Sequence, residues 1–431
     1  MSITVKSELL VKASGGSVNE TRNHYYLSHN GLLRREFREF QSESDTSDYT
    51  EYRDSPDNGK TWGEWIRTAP KTKERVGEDE IAYGSYPRCN NVYNPIHKHY
   101  ITLMYDMIYI GGYEQATAAF WEQGGFRELP HTYIDIADEY GNKISHQLMK
   151  YEDGDEFVKE SYHETNYLST NVGIGSDLYV MKNGDILISF CAPVDVCCKR
   201  AGIDVEKVFP HTFMQTNAFM AARGVWNKER NEYDLTFSEP VVLDSRQSSR
   251  GINEPIMAEL DSGKILLVFR MSNVVYTQWK SRISPYAPSY KMYSISDDGG
   301  KTFSPPMPWH FDSREVIYSS ATYSLFVRCE KNGKLYWFGN ITEPANTSGN
   351  YPRYPLNMVE VDEEWGCAKK DSLTVIDTKR EGETEGVQLS NFGIIEDRES
   401  GNFELYLTKY AQFPDRHIRD CEVWKYTVEI E

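Results

Sequence analysis

One unit recurs from end to end of the chain: a short turn containing Gly, followed by an apolar or aromatic run. It occurs at Asn30-Gly31, at Asn183-Gly184 (NGDILISF), at Ser262-Gly263 (SGKILLVF), at Asn332-Gly333 (NGKLYWFG) and at Ser400-Gly401 (SGNFELYL). A variant without Gly runs from Asn94 to Tyr105, and a weaker copy is Tyr140-Gly141-Asn142. Gly supplies the positive φ that a tight hairpin turn needs, and the runs are too short for helices, so each unit reads as a β-hairpin. Spacings of roughly 45 to 90 residues fit the blades of a β-propeller. A row of β-sandwich domains is the competing arrangement. No Pro-, Gly- or Ser-rich linker separates the copies, so residues 1–431 are read as a single all-β propeller domain of four-stranded blades. Six hairpins are firm, the weak copy makes seven, and the expectation leans to seven blades.

Composition narrows the function. Aromatic residues make up 13%, with 30 Tyr and 9 Trp, which suits strands and sugar-binding platforms alike. Lys and Arg number 47 against 65 Asp and Glu, a net charge of −18. A nucleic-acid partner is therefore not expected, because phosphate binding needs a positive face. An anionic substrate would need a local Arg cluster. The seven Cys are scattered, with no CxxC and no Cys/His grouping at zinc spacing, so free thiols and no metal or cofactor are expected. The N-terminus lacks the apolar core of a signal peptide, and no apolar run reaches the ~20 residues that span a bilayer. The chain is thus expected to be cytoplasmic, or secreted if a leader was removed, with no membrane partner; its oligomeric state is left open.

The stretch Ser248–Ser272, SSRGINEPIMAELDSGKILLVFRMS, has the clearest chemistry. Asp261 to Lys264 forms the turn of a hairpin. Glu254 begins one arm and Arg270 ends the other, so the two are expected side by side. Sites built on strands hold their geometry better than sites on loops.

Residues 55–62, SPDNGKTW, and 296–303, SDDGGKTF, share the pattern S-x-D-x-G-x-T-aromatic. Ser and Asp bond the turn backbone, Gly takes the positive φ, and the aromatic anchors the next strand. In these residues the chain resembles the Asp-box repeats of the sialidase (neuraminidase) superfamily. The resemblance implies a sialidase-like propeller with the boxes on its outside. Degenerate outer strands are expected at Trp226–Pro240 and 362–371.

The same resemblance assigns residues. Sialidases bind the sugar carboxylate with three arginines, and Glu254 to Arg270 resembles their Glu/Arg hairpin. Arg353, after the next inner hairpin, matches the third arginine. Arg88, in Tyr86-Pro87-Arg88, is a looser match to the first. Arg250, in the loop leading to Glu254, adds a polar contact. The family's nucleophilic Tyr is replaced, since its position holds Leu389 with Gln388 and Asn391 nearby. Tyr354 is the substitute considered, along with Tyr318 and Tyr323. Glu254, Glu114 and Asp135 are the acid/base candidates.

A seven-bladed member resembles a second group, which acts on rhamnose–glucuronate linkages as α-L-rhamnosidases or as ulvan-type lyases using His and Tyr. His131 and His211 lead there, each in a short Pro-His-Thr turn among aromatics, ahead of His97, His99 and His163. Three functions follow: an exo-acting glycoside hydrolase on a sialic-acid-like or uronate-linked sugar, a lyase or rhamnosidase, or a non-catalytic glycan-binding propeller. Each has an acidic oligosaccharide or glycan as partner.

Overall fold

Each of the six firm turn units closes a hairpin, and each hairpin lies in a different antiparallel sheet. A computed structural model of the chain describes residues 3–42, 47–68, 72–76, 79–87, 92–110, 127–151, 154, 172–210, 216–277, 280–283, 288–344, 347 and 349–430. Side chains are described outside 72–87, 106–110, 127–130 and 274–283. Among these residues are six sheets of four or more strands, here called the first to sixth blades in chain order, and one two-stranded hairpin at Val274–Thr277 and Lys280–Ile283.

Of the six or seven blades expected, the described residues form six, against the lean to seven. The weak copy at Tyr140-Gly141-Asn142 joins Arg127–Asp138 to Lys143–Leu148 within the second blade. The Asp138 carboxylate closes that turn by accepting from the backbone N–H groups of Tyr140 and Asn142 at 2.9 and 2.8 Å. A Gly turn is thus needed at the outer end of a blade as well as the inner one, and the motif alone does not tell them apart.

The blades divide between two compact units, Met1–Pro70 with Tyr286–Tyr290 and Trp309–Glu431, and Lys71–Pro285 with Lys291–Pro308. The first unit holds the first, fifth and sixth blades. In the sixth, the strand Ile3–Val11 pairs antiparallel with Val423–Ile430, beside Phe403–Tyr410 and Gln388–Glu396. The two ends of the chain therefore complete one sheet. Tyr336, Phe338, Met358, Leu389, Phe403, Leu405 and Val428 form the core of this unit.

The second unit holds the second, third and fourth blades. Its core joins Ile101, Leu103 and Ile134 to Ile186, Ile188, Phe190 and Met220. Residues Ile265 to Phe269 are all buried, which explains why that arm reads as a continuous apolar run. Burying each such side chain contributes about 1.5–3 kcal/mol. In the third blade a short helix, Val194–Ala201, buries Val194, Val196, Cys197 and Cys198 and ends at Gly202 with φ +68°. Six described cysteines are free. No helix among the described residues is long and apolar enough to cross a membrane. The expected outer strands are present as Glu232–Phe237 and Cys367–Ala368.

The two S-x-D-x-G-x-T turns are built alike. Ser55 Oγ accepts from the Gly59 N–H at 2.7 Å, and Ser296 Oγ from the Gly300 N–H at 2.9 Å. Asp57 accepts from the Thr61 N–H and hydroxyl, both at 2.7 Å, and Asp298 from those of Thr302 at 2.9 and 2.7 Å. These bonds, the Thr302 N–H first, hold the Asp298 carboxyl down to about 2. Both turns follow a third blade strand, Tyr49–Ser55 or Lys291–Ser296. Ser296 is 1% exposed, so Ser296→Ala leaves the buried Gly300 N–H without its acceptor. We expect this variant to lose about 1–2 kcal/mol of stability, read as a lower urea midpoint at neutral pH.

Candidate active site in the fourth blade

The loop that leads into Glu254 is fastened before the strand begins. Ser248 Oγ accepts from the Ser272 N–H at 3.0 Å and donates to the Gly251 carbonyl at 2.6 Å. Gly251 has φ +64°, and a Cβ there would lie 1.9 Å from the Asn217 carbonyl oxygen, so only glycine fits. Ile252 N–H then donates to that carbonyl at 2.8 Å. Asn217 Nδ2 donates to Asn253 Oδ1 at 3.1 Å, and Asn253 Nδ2 to the Arg250 carbonyl at 3.1 Å. Arg250 is half-buried in this loop.

The hairpin itself differs from the simple pairing. Asn253, not Glu254, stands opposite Arg270, while Ile256 stands opposite Val268. Glu254 and Pro255 together therefore face Phe269 alone, which is a β-bulge. Pro255 tolerates this because a bulge needs no donor from it. Its carbonyl accepts from Ser189 Oγ at 2.6 Å. Glu254 has φ +47°, a left-handed conformation that costs on the order of 1–3 kcal/mol for a residue with a side chain. The bulge brings the two charges together: Arg270 Nη1 donates to Glu254 Oε1 at 3.0 Å. Their side chains are 13% and 26% exposed.

A second carboxylate was not singled out by the sequence. Asp177 lies at an irregularity in the strand Ile174–Val180 and accepts from the Met257 N–H of the fourth blade at 3.2 Å. Loss of hydration pushes its carboxyl up to about 6. Nothing in SDLYV separates it from any strand Asp; the signal is tertiary. The Cys191 sulfur accepts from the Glu254 N–H at 3.2 Å and meets the hydroxyl of Ser176, the residue before Asp177, at 3.3 Å. Two carboxyl groups on adjoining strands, one of them partly protonated near neutrality, can donate and accept protons in one reaction.

His131 does not sit in a turn. It lies inside the strand Arg127–Asp138, paired on one side with His99–Ile110, because Thr132 to Ile136 continues the strand alternation. It is 4% exposed, and burial holds its ring neutral, with its pKa down at about 3. His99 meets the Tyr233 hydroxyl at 2.7 Å, and Asp135 pairs with His146. Arg88, Glu114, His163 and His211 lie outside the described residues.

Arg353 and Tyr354 belong to the first unit. Arg353 Nη1 donates to Gln388 Oε1 at 2.8 Å and Ser390 Oγ at 3.3 Å, and its Nε to the Asn350 carbonyl at 3.0 Å. The Gln that stands beside the missing Tyr position thus positions this guanidinium, while Leu389 is fully buried. Tyr354 donates to Glu385 Oε2 at 2.7 Å, and burial with that carboxylate pushes the phenol up to about 12. Among the described residues no group of three or more His, Cys, Asp or Glu side chains is placed to hold a metal ion.

No family model matches the chain, and no curated protein matches it. Among solved structures, a protein of unknown function from Dyadobacter fermentans is similar over 99% of both chains, at 14% identity and a TM-score of 0.55. A Trypanosoma rangeli sialidase is similar over 98% of this chain and 58% of its own length, at 10% identity and a TM-score of 0.48. This chain thus spans little more than half of that sialidase. An intramolecular trans-sialidase from Ruminococcus gnavus is similar over 95% and 94%, at 11% identity and a TM-score of 0.47. These likenesses concern fold and carry no residue roles across. With six blade sheets among the described residues and two matching S-x-D-x-G-x-T turns, the chain has the all-β fold of a propeller of four-stranded blades.

The bulge makes a stability prediction. Glu254→Gly and Glu254→Ala both remove the ion pair, but only Gly relieves the left-handed backbone. The Gly variant is expected to be more stable than the Ala variant by about 1 kcal/mol in urea unfolding. Equal stabilities would contradict a left-handed residue at this position.

Proposed function

We propose that the chain is a glycoside hydrolase that removes a terminal sugar bearing a carboxylate. The observation that carries this is the Glu254–Arg270 pair, held by a strained bulge in the strand whose Met257 N–H bonds Asp177. The guanidinium of Arg270 offers planar, charge-assisted hydrogen bonds to the sugar carboxylate. Asp177, partly protonated near neutrality, gives its proton to the glycosidic oxygen as the bond from the anomeric carbon breaks. Glu254 takes a proton from the water whose oxygen bonds to that carbon. Both carboxyl groups are needed, as in other two-carboxylate glycosidases. A neutral, buried His131 supplies no proton to this scheme.

Aryl glycosides of sialic acid and of glucuronic acid, assayed separately, test it. With the substrate that is turned over, Glu254→Gln is expected to lower kcat at least about 100-fold. Because Asp177 must carry its proton, kcat/KM falls as pH rises through about 6. Asp177→Asn removes that limb and most of the rate. Full activity in Glu254→Gln, or an unsaturated, ultraviolet-absorbing product from the glucuronide, would overturn the reading.

A further inference from the structure

The first unit contains a cleft of about 1170 Å³ along the fifth blade, larger than the roughly 300–1,000 Å³ of small-ligand pockets. Tyr318, Tyr351 and Tyr354 line it. Two of these rings are tethered by their hydroxyls: Tyr354 donates to Glu385 at 2.7 Å, and Tyr351 accepts from Gln388 Nε2 at 3.3 Å. Tyr351 is nevertheless 43% exposed, so part of its surface is open to a ligand.

The charged lining is predominantly acidic. Glu315, Glu343 and Glu385 contribute three carboxylates, and Lys370 is the cation among the lining residues. That lysine is engaged twice, by Glu315 at 2.8 Å and over the Phe311 ring at 4.3 Å, and Glu385 pairs with Lys379, so the acidic excess of the lining rests on Glu343. Anionic ligands, whether phosphate or acidic sugar, are therefore disfavoured. Ring faces suit the C–H faces of sugars, and carboxylates accept from hydroxyl groups in pairs. Its volume of about 1170 Å³ leaves room for more than one sugar.

We infer that this cleft binds a neutral oligosaccharide through residues of the first unit alone, so that its ligand does not depend on Glu254 or Arg270. It gives the protein a hold on uncharged glycan that does not depend on turnover of an acidic sugar.

The experiment uses the full chain, fluorescently labelled, on a microarray of neutral oligosaccharides, followed by calorimetry with the strongest neutral binder and with sialyllactose. We expect a neutral oligosaccharide to bind and Tyr351→Ala to weaken it at least tenfold. Tyr351 is exposed, so this variant should fold; circular dichroism checks that, and Glu343→Gln gives a second reading, weakening the same ligand. Arg270→Met is expected to bind it as the wild type does. Absence of any neutral binder, an unchanged affinity in both cleft variants, or loss of the affinity in Arg270→Met would each overturn the inference. Failure of the hydrolase reading looks different: no acidic glycoside is turned over while neutral binding persists.

Discussion

One extra residue in the strand Asn253–Glu259 sets the geometry of the candidate site. Without it, Glu254 would pair across the hairpin as an ordinary strand residue. With it, the backbone at Glu254 is forced to φ +47° and its carboxylate meets Arg270 at 3.0 Å. The strain is sustained because the neighbourhood over-determines it. Pro255 is tied to Ser189, Glu254 N–H to Cys191, and the preceding loop to Asn217 through a glycine that nothing larger can replace. Backbone strain of this kind persists where packing holds it and is drawn to functional sites.

The scaffold around the bulge is repetitive for a physical reason. A blade is a small sheet that cannot bury both faces alone, so its apolar strands must be covered by neighbouring sheets. In the second unit, polar side chains settle how adjoining blades meet: Asn94 donates to the Gly184 carbonyl at 2.8 Å, and Lys182 N–H to Glu259 at 2.8 Å. The S-x-D-x-G-x-T turns lie beside the first hairpin turn of their blade: Ile265 stands opposite Ser296, and Lys264 pairs with Asp297 at 3.2 Å. Each replaces unsatisfied turn N–H groups with bonds to a Ser and an Asp, which makes the link into the fourth strand stiff.

The fold was largely legible because hairpin turns are local. Asn183-Gly184, Ser262-Gly263 and Ser400-Gly401 encode their own geometry, and the Asp boxes encode theirs. The blade count was less legible, since Tyr140-Gly141-Asn142 uses the same turn chemistry at an outer position. In the site, Glu254 and Arg270 could be paired from the hairpin register, but the bulge between them could not be placed, although Pro255 hinted at it. Asp177 was invisible because its raised pKa comes from burial against another blade. His131 was misplaced in a turn because Pro130 was weighed above the strand pattern that follows it.

The central claim is that Glu254 and Asp177 break a glycosidic bond with water. Digestion of the acidic glycoside in heavy-oxygen water, with mass spectrometry of the released sugar, tests it most directly. One solvent oxygen is expected in the released acidic sugar, and at least about 100-fold slower release when Glu254→Gln replaces the wild type. A released sugar without solvent oxygen, carrying a double bond instead, would contradict it.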